Sequence, residues 1–123
     1  MSPVLRPGAA PTGGAHDIGD AQIVLPPFIA RDAVIHVRAV LVHPMLTGLS
    51  RDAQGQPLPA YFVREVTVTY AGEPVARFEW TSGVSRDPYV AFPLRATREG
   101  PLEVRWTDNR GAVYRRQTLV RFS

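Results

Sequence analysis

The chain contains no cysteine and no lysine. The first absence excludes disulfides, thiolate metal sites and any covalent thiol chemistry carried by this polypeptide itself. The second excludes Schiff-base chemistry and a phosphate-loop ammonium group. All 14 basic residues are therefore arginine; codon bias in a GC-rich genome is the expected reason, with the stability and pairing advantages of arginine as the alternative. Long apolar runs are missing too: nothing approaches the ~18 consecutive apolar residues needed to cross a bilayer, so no contact with a membrane is expected. No run of ten residues has helical periodicity, which leaves strands as the building material.

What is present suits one small domain. A chain of 123 residues, 45% hydrophobic and 20% charged, can bury a single core. The net charge of +3 and the pI near 9.9 raise the question of nucleic acid. The arginines, however, are spread from Arg6 to Arg121, most with an acidic neighbour, and Arg115-Arg116 is the one doublet. Dispersed charge of both signs describes a solvated β-surface, and nucleic-acid binding is not expected.

Residues 1–19 are rich in Pro, Gly and Ala without apolar periodicity, so a disordered N-terminal arm is predicted, with the folded domain at 20–123. This opening lacks the apolar core of a secretory signal, and the chain is expected to carry no export signal of its own. Seven runs then alternate apolar and polar residues as half-buried strands do. They begin with Ala21 to Leu25 and Ala33 to His43. Tyr61 to Tyr70 follows, with Phe62, Val66, Val68 and Tyr70 on one face. After the turn Ala71-Gly72-Glu73-Pro74 comes Val75 to Thr81, and then Tyr89 to Ala96, whose Pro93 marks an edge or bulged strand. Leu102 to Trp106 and Val113 to Phe122 are joined through Asp108-Asn109-Arg110-Gly111. Seven short strands with Gly/Pro-rich turns predict an all-β, immunoglobulin-like antiparallel sandwich.

No catalytic constellation emerges. His16 lies in the arm, and His36 and His43 are seven positions apart in one strand, pointing to opposite faces, so the three histidines cannot form one metal site. Glu65, Glu79 and Glu103 fall on outward strand faces among arginines and threonines, where cross-strand ion pairing explains them. Ser50, Ser82 and Ser85 lack the Gly-x-Ser-x-Gly turn of a hydrolase. Trp80 and Trp106 read as core residues of facing strands. Catalytic, cofactor-binding and metal-ligating residues are accordingly expected to be none, and the chain is not expected to be an enzyme.

The segment His43 to Pro59 stands apart, because connections in compact domains are usually about four to six residues and a longer, specifically composed loop is a functional candidate. Pro44 sets its exit direction, and Gly48 and Gly55 let it turn. Met45 and Leu46 either form a contact surface or fold back on the core, and their composition leaves both readings open.

His43-Pro44-Met45, Thr47-Gly48, Arg51-Asp52, Gly55 and Pro59, with Asp87-Pro88-Tyr89, Phe92, Trp106-Thr107-Asp108 and Gly111, resemble the SoxZ family in order and spacing from roughly residue 20 to the C-terminus. The resemblance implies a non-catalytic, cofactor-free subunit of a SoxYZ sulfur carrier in thiosulfate oxidation. Its heterodimer partner, SoxY, holds sulfur intermediates on the cysteine of a glycine-rich C-terminal arm. It also implies transient contact with other Sox enzymes and a periplasmic location reached by export together with the partner. On that footing Met45 and Leu46 are expected to face outward, and His43, Pro44, Met45, Leu46, Thr47, Gly48, Arg51 and Tyr89 form the expected partner-binding set. The alternative from another class is a free-standing immunoglobulin-like adhesion or carbohydrate-binding module.

Overall fold

A computed structural model describes residues 17–123. It contains seven strands: β1 (Ala21–Val24), β2 (Val34–Leu41), β3 (Val63–Tyr70), β4 (Glu73–Glu79), β5 (Tyr89–Arg95), β6 (Gly100–Asp108) and β7 (Val113–Val120). Among the described residues no helix is long and apolar enough to cross a membrane. The strands form two antiparallel sheets, ordered β1-β2-β5 and β4-β3-β6-β7. Relative to a constant-type immunoglobulin sandwich, the fourth strand has left the first sheet and pairs with the third. The predicted all-β sandwich of seven strands is thus the fold.

Strict alternation builds the core. On β2, Ile35, Val37, Ala39 and Leu41 are buried while Val34, His36 and Arg38 face out. On β6, Leu102, Val104 and Trp106 point inward and are fully buried. Trp106 meets the expectation for a core residue, whereas Trp80 packs against the core only half-buried.

Three departures from simple alternation have identifiable causes. The register of β3 against β6 shifts between Val63 and Glu65, so Val63 takes the fully buried position and Phe62, expected there, is left half-buried outside the strand. The turn before β4 is only Ala71-Gly72, both at positive φ, 51° and 86°, as a two-residue hairpin requires. Pro74 therefore sits inside β4, and Pro93 sits inside β5; both strands are sheet edges, where a missing N–H costs no ladder bond.

Outside the core, Arg77 pairs with Glu65 and, at 2.9 Å, with Glu79, two carboxylates that face each other in register. Such exposed pairs are worth about 0–1 kcal/mol each and mainly relieve the opposed charges. The Tyr70 hydroxyl donates to the Arg98 carbonyl and accepts from the Arg98 N–H, pinning the β5–β6 connection.

The predicted arm, residues 1–19, lies mostly outside the described residues, as does His16. Its last three residues belong to the domain. Gly19 donates from its N–H to Val42 at 2.9 Å, and its φ of +99° brings its backbone against the Tyr114 ring.

Candidate functional site

His43 follows the end of β2 at the mouth of the long loop and is wholly buried. Its backbone is locked to the entry of β5: its N–H donates to Asp87 Oδ1 at 3.0 Å, and its carbonyl accepts from the Asp87 N–H at 2.8 Å. Its ring Nδ1 accepts the Met45 N–H at 3.1 Å. A nitrogen that accepts carries no proton, so the proton of the neutral ring is on Nε2. Protonating Nδ1 would set two donors against each other. Nε2 faces Asp108 Oδ2 at 3.8 Å, too long for a hydrogen bond.

Asp108, at the end of β6, is also fully buried, and four neighbours converge on it. Oδ1 accepts the Arg110 and Ala112 N–H groups, each at 2.9 Å, which shapes the β6–β7 turn. Oδ2 accepts the Tyr114 hydroxyl at 2.8 Å, and Tyr114 is bonded in turn to the Tyr61 hydroxyl at 3.1 Å. The Tyr61 ring packs 4.4 Å from the His43 ring, and the Arg110 guanidinium lies over the Tyr61 ring, 3.7 Å from its centre. Asn109 stitches the same turn to the end of the long loop, accepting the Phe62 N–H and donating to the Ala60 carbonyl, both at 3.0 Å.

Burial lowers the pKa of His43 below its ordinary value, and the charge and nearness of Asp108 only partly oppose this. Tyr114 moves up, first through burial and then through its bonds to Tyr61 and Asp108. His43 therefore stays neutral and Tyr114 stays a donor. His43 and Asp108 are both fully buried, and their hydrogen bonds make a polar knot that ties the loops together. Among the described residues no group of three or more His, Asp or Glu side chains could hold a metal ion.

The long loop is itself ordered as a small hairpin. Leu46 and Tyr61 exchange backbone bonds of 2.7 and 3.0 Å, Arg51 bridges Pro57, and Asp52 Oδ1 accepts the Gln54 and Gln56 N–H groups. The expected partner-binding residues divide accordingly. Met45 is corrected: it does not face outward but is buried, because its φ of 52° turns the chain back after Pro44 and lets its sulfur accept the Val63 N–H at 3.2 Å. His43 is likewise inside and can act on a partner only through the loop it holds. Leu46, Pro44 and Gly48 are half-buried. Thr47 and Arg51 are exposed, but their side chains serve the loop, through Leu49 N–H and the Gly55 carbonyl. Tyr89 is open to solvent with the Arg38 guanidinium 5.3 Å from its ring centre.

The three sequence segments that carried the family resemblance thus meet in space: His43 with Met45, Asp87, and Asp108. Residues 26–118 match the family of the sulphur oxidation protein SoxZ. The chain belongs to the SoxZ family. No curated protein matches it. The fold of this SoxZ-family chain is similar to that of a superoxide reductase (neelaredoxin) variant from Ignicoccus hospitalis, with a TM-score of 0.65 at 15% identity over 86% of this chain and 82% of that one. A second similar structure is the sulfur carrier protein SoxY from Chlorobium limicola f thiosulfatophilum, with a TM-score of 0.58 at 19% identity over 84% of this chain and 78% of that one. At such identities the likeness is one of fold.

Sequence reasoning did not single out Asp108, Tyr61, Tyr114 or Arg110 as partners of His43. Asp87 and Asp108 lay within the family segments, which was the available signal. Tyr61 and Tyr114 read as ordinary strand residues.

Proposed function

We propose that this chain, a component of Sox sulfur oxidation, is the non-catalytic subunit of a SoxYZ-type heterodimeric carrier. It supports a SoxY-like partner that bears the sulfur intermediates on its own C-terminal cysteine. The observation that carries the reading is membership of the SoxZ family in a sequence without a single thiol: sulfur that is held covalently must be held elsewhere. The interior of the polar knot supports it, since a buried neutral histidine and a hydrogen-bonded carboxylate serve to shape loops rather than to turn over substrate. The fold shared with a SoxY carrier fits two similar sandwiches packing as one unit. An obligate pair of that kind buries ~2,000 Å² or more.

The chain acts in the periplasm, exported together with its partner, and meets the other Sox enzymes only transiently. Co-production with the SoxY-like protein of the same organism, followed by incubation with thiosulfate and the Sox enzymes, tests the reading by intact mass. Sulfur mass is expected on the partner alone, in a stable one-to-one complex recovered from the periplasmic fraction. A sulfur adduct on this chain, or failure to co-purify, would overturn it.

A further inference from the structure

The outward faces of the two sheets each carry large exposed apolar groups, Val75, Val113 and Leu119 on the four-stranded sheet, but differ in charge. On the four-stranded sheet Glu65, Glu79 and Glu103 are paired with Arg77 and Arg105. The outward positions of β1, β2 and β5 include no carboxylate at all; their charges are Arg38 and Arg95. Three of their members, Val24, Val34 and Tyr89, are large apolar groups 46%, 51% and 58% exposed.

This face continues at one end into an open groove of about 800 Å³ between β2 and the segment that follows β1, lined by Val24, Pro26, Phe28, Val34 and Ser123, with Arg38 as its one charged side chain. Phe28 is 80% exposed, yet the segment bearing it is fixed. Pro26 and Pro27 restrict its backbone. Next to Phe28, Ile29 is buried in the core and exchanges bonds with Ser123, to its hydroxyl at 3.1 Å and from its N–H at 2.9 Å. Arg31 lies 4.9 Å over the Phe122 ring. Holding an aromatic ring out in water on a braced segment gains nothing for the isolated fold and lowers the ordering cost of binding.

We infer that this face, from Phe28 to Tyr89, is where the SoxY-like partner seats. The inference rests on the heterodimer reading above and assigns its surface. The partner offers an apolar patch with an aliphatic or aromatic side chain for the groove, and carboxylates opposite Arg38 and Arg95. Charge complementarity selects a different chain over a second copy of this one, because two copies would bring a face without carboxylates against another. Area agrees. Strands of 4, 8 and 7 residues, at ~3.4 Å per residue and ~4.8 Å apart, present only about 300 Å² in projection. An obligate interface needs about 1,000 Å² from each partner, so the Phe28 segment at one end and the base of the long loop beside Tyr89 at the other are both recruited.

Titration calorimetry of the full chain with the SoxY-like protein of the same organism tests this. Val34→Glu and Phe28→Asp place carboxylates on the face, and Leu119→Glu does so on the other sheet, where Leu119 is 44% exposed. The first two are expected to weaken binding by about 100-fold or more, as loss of central anchors does, with melting temperatures held, and Leu119→Glu to leave it unchanged. Arg38→Glu is expected to lose about tenfold and to flatten the salt dependence. Wild-type affinity for both Val34→Glu and Phe28→Asp, or loss confined to Leu119→Glu, overturns the assignment while the heterodimer stands. If Val34→Glu lowers the melting temperature, Phe28→Asp, on an exposed ring, decides alone. No heat from the unmodified chain at two well-separated temperatures, together with failure to co-elute with the partner, would overturn the heterodimer reading and this assignment together. Sedimentation of the chain alone completes the test: a homodimer broken by Val34→Glu, with partner binding intact, would give the face to a second copy and overturn the assignment.

Discussion

Replacing Asp108 with alanine strips three hydrogen bonds from the centre of the polar knot, two from turn N–H groups at 2.9 Å and one from the Tyr114 hydroxyl at 2.8 Å. Charge-assisted bonds are worth about 1.5–3 kcal/mol each, so their sum would reach about 5–9 kcal/mol. That sum is an upper bound, because burying the carboxylate already cost desolvation that the variant recovers. The groups left behind also differ in their prospects. Tyr114 keeps its bond to Tyr61, and the Arg110 N–H lies in an exposed turn where water can replace the carboxylate. The expected loss is therefore about 3–4 kcal/mol, a large share of the 5–15 kcal/mol typical of a domain. Asp108→Asn keeps Oδ1 for the two N–H groups and changes only the side facing Tyr114 and His43, so about 1–2 kcal/mol is expected. Urea unfolding followed by tryptophan fluorescence measures both, with the slope of the transition unchanged. A loss below 1 kcal/mol for alanine would refute the claim that this carboxylate organises the turn. Equal losses for alanine and asparagine would show that its charge, not its hydrogen-bond geometry, matters.

Met45→Ala should lower stability by about 2–5 kcal/mol through the cavity it leaves, and Met45→Leu by about 1–2 kcal/mol, chiefly from the Val63 N–H deprived of its sulfur; denaturant midpoints that match the wild type would return Met45 to the surface. His43 has a folded-state pKa below its unfolded value, so its contribution is present above about pH 6.5 and is lost as pH falls through that value toward the folded pKa. Melting temperature should thus drop more steeply between pH 7.5 and 5 in the wild type than in His43→Asn, whose amide oxygen can still accept the Met45 N–H; parallel curves would contradict this. Gly19→Ala should cost about 2 kcal/mol or more, since its φ of +99° is strained for alanine and the new Cβ would lie 2.8 Å from the Tyr114 ring. Gly55→Ala, with open space and a φ of +80°, should cost only about 1 kcal/mol, and equal chemical-melt shifts for the two would mean that the ring contact is unimportant.

The sandwich was legible because a period of two is a local property. Ile35, Val37, Ala39 and Leu41 announce one buried face without reference to any other strand, and Pro93 announces an edge through its missing N–H alone. The slip from Phe62 to Val63 was not legible, since a bulge depends on what the facing strand β6 demands. Met45 shows the same limit. Its composition allowed either a surface or a core position, and the choice was made by one positive φ after Pro44 and by a backbone N–H on β3 that no local pattern reveals.

By itself, then, the sequence determined what chemistry this chain can hold: without cysteine or lysine it carries no thiol and no Schiff base, and its alternating runs commit it to two packed sheets. Only the tertiary structure decided that His43, Asp87 and Asp108, brought from three separate segments, close on one another and that Tyr61 and Tyr114 complete the knot. The physical reason is that most buried polar groups are paired, and in a sandwich the nearest donor or acceptor is commonly on a strand or turn tens of residues away; Nε2 of His43, 3.8 Å from Asp108, is left without a bond.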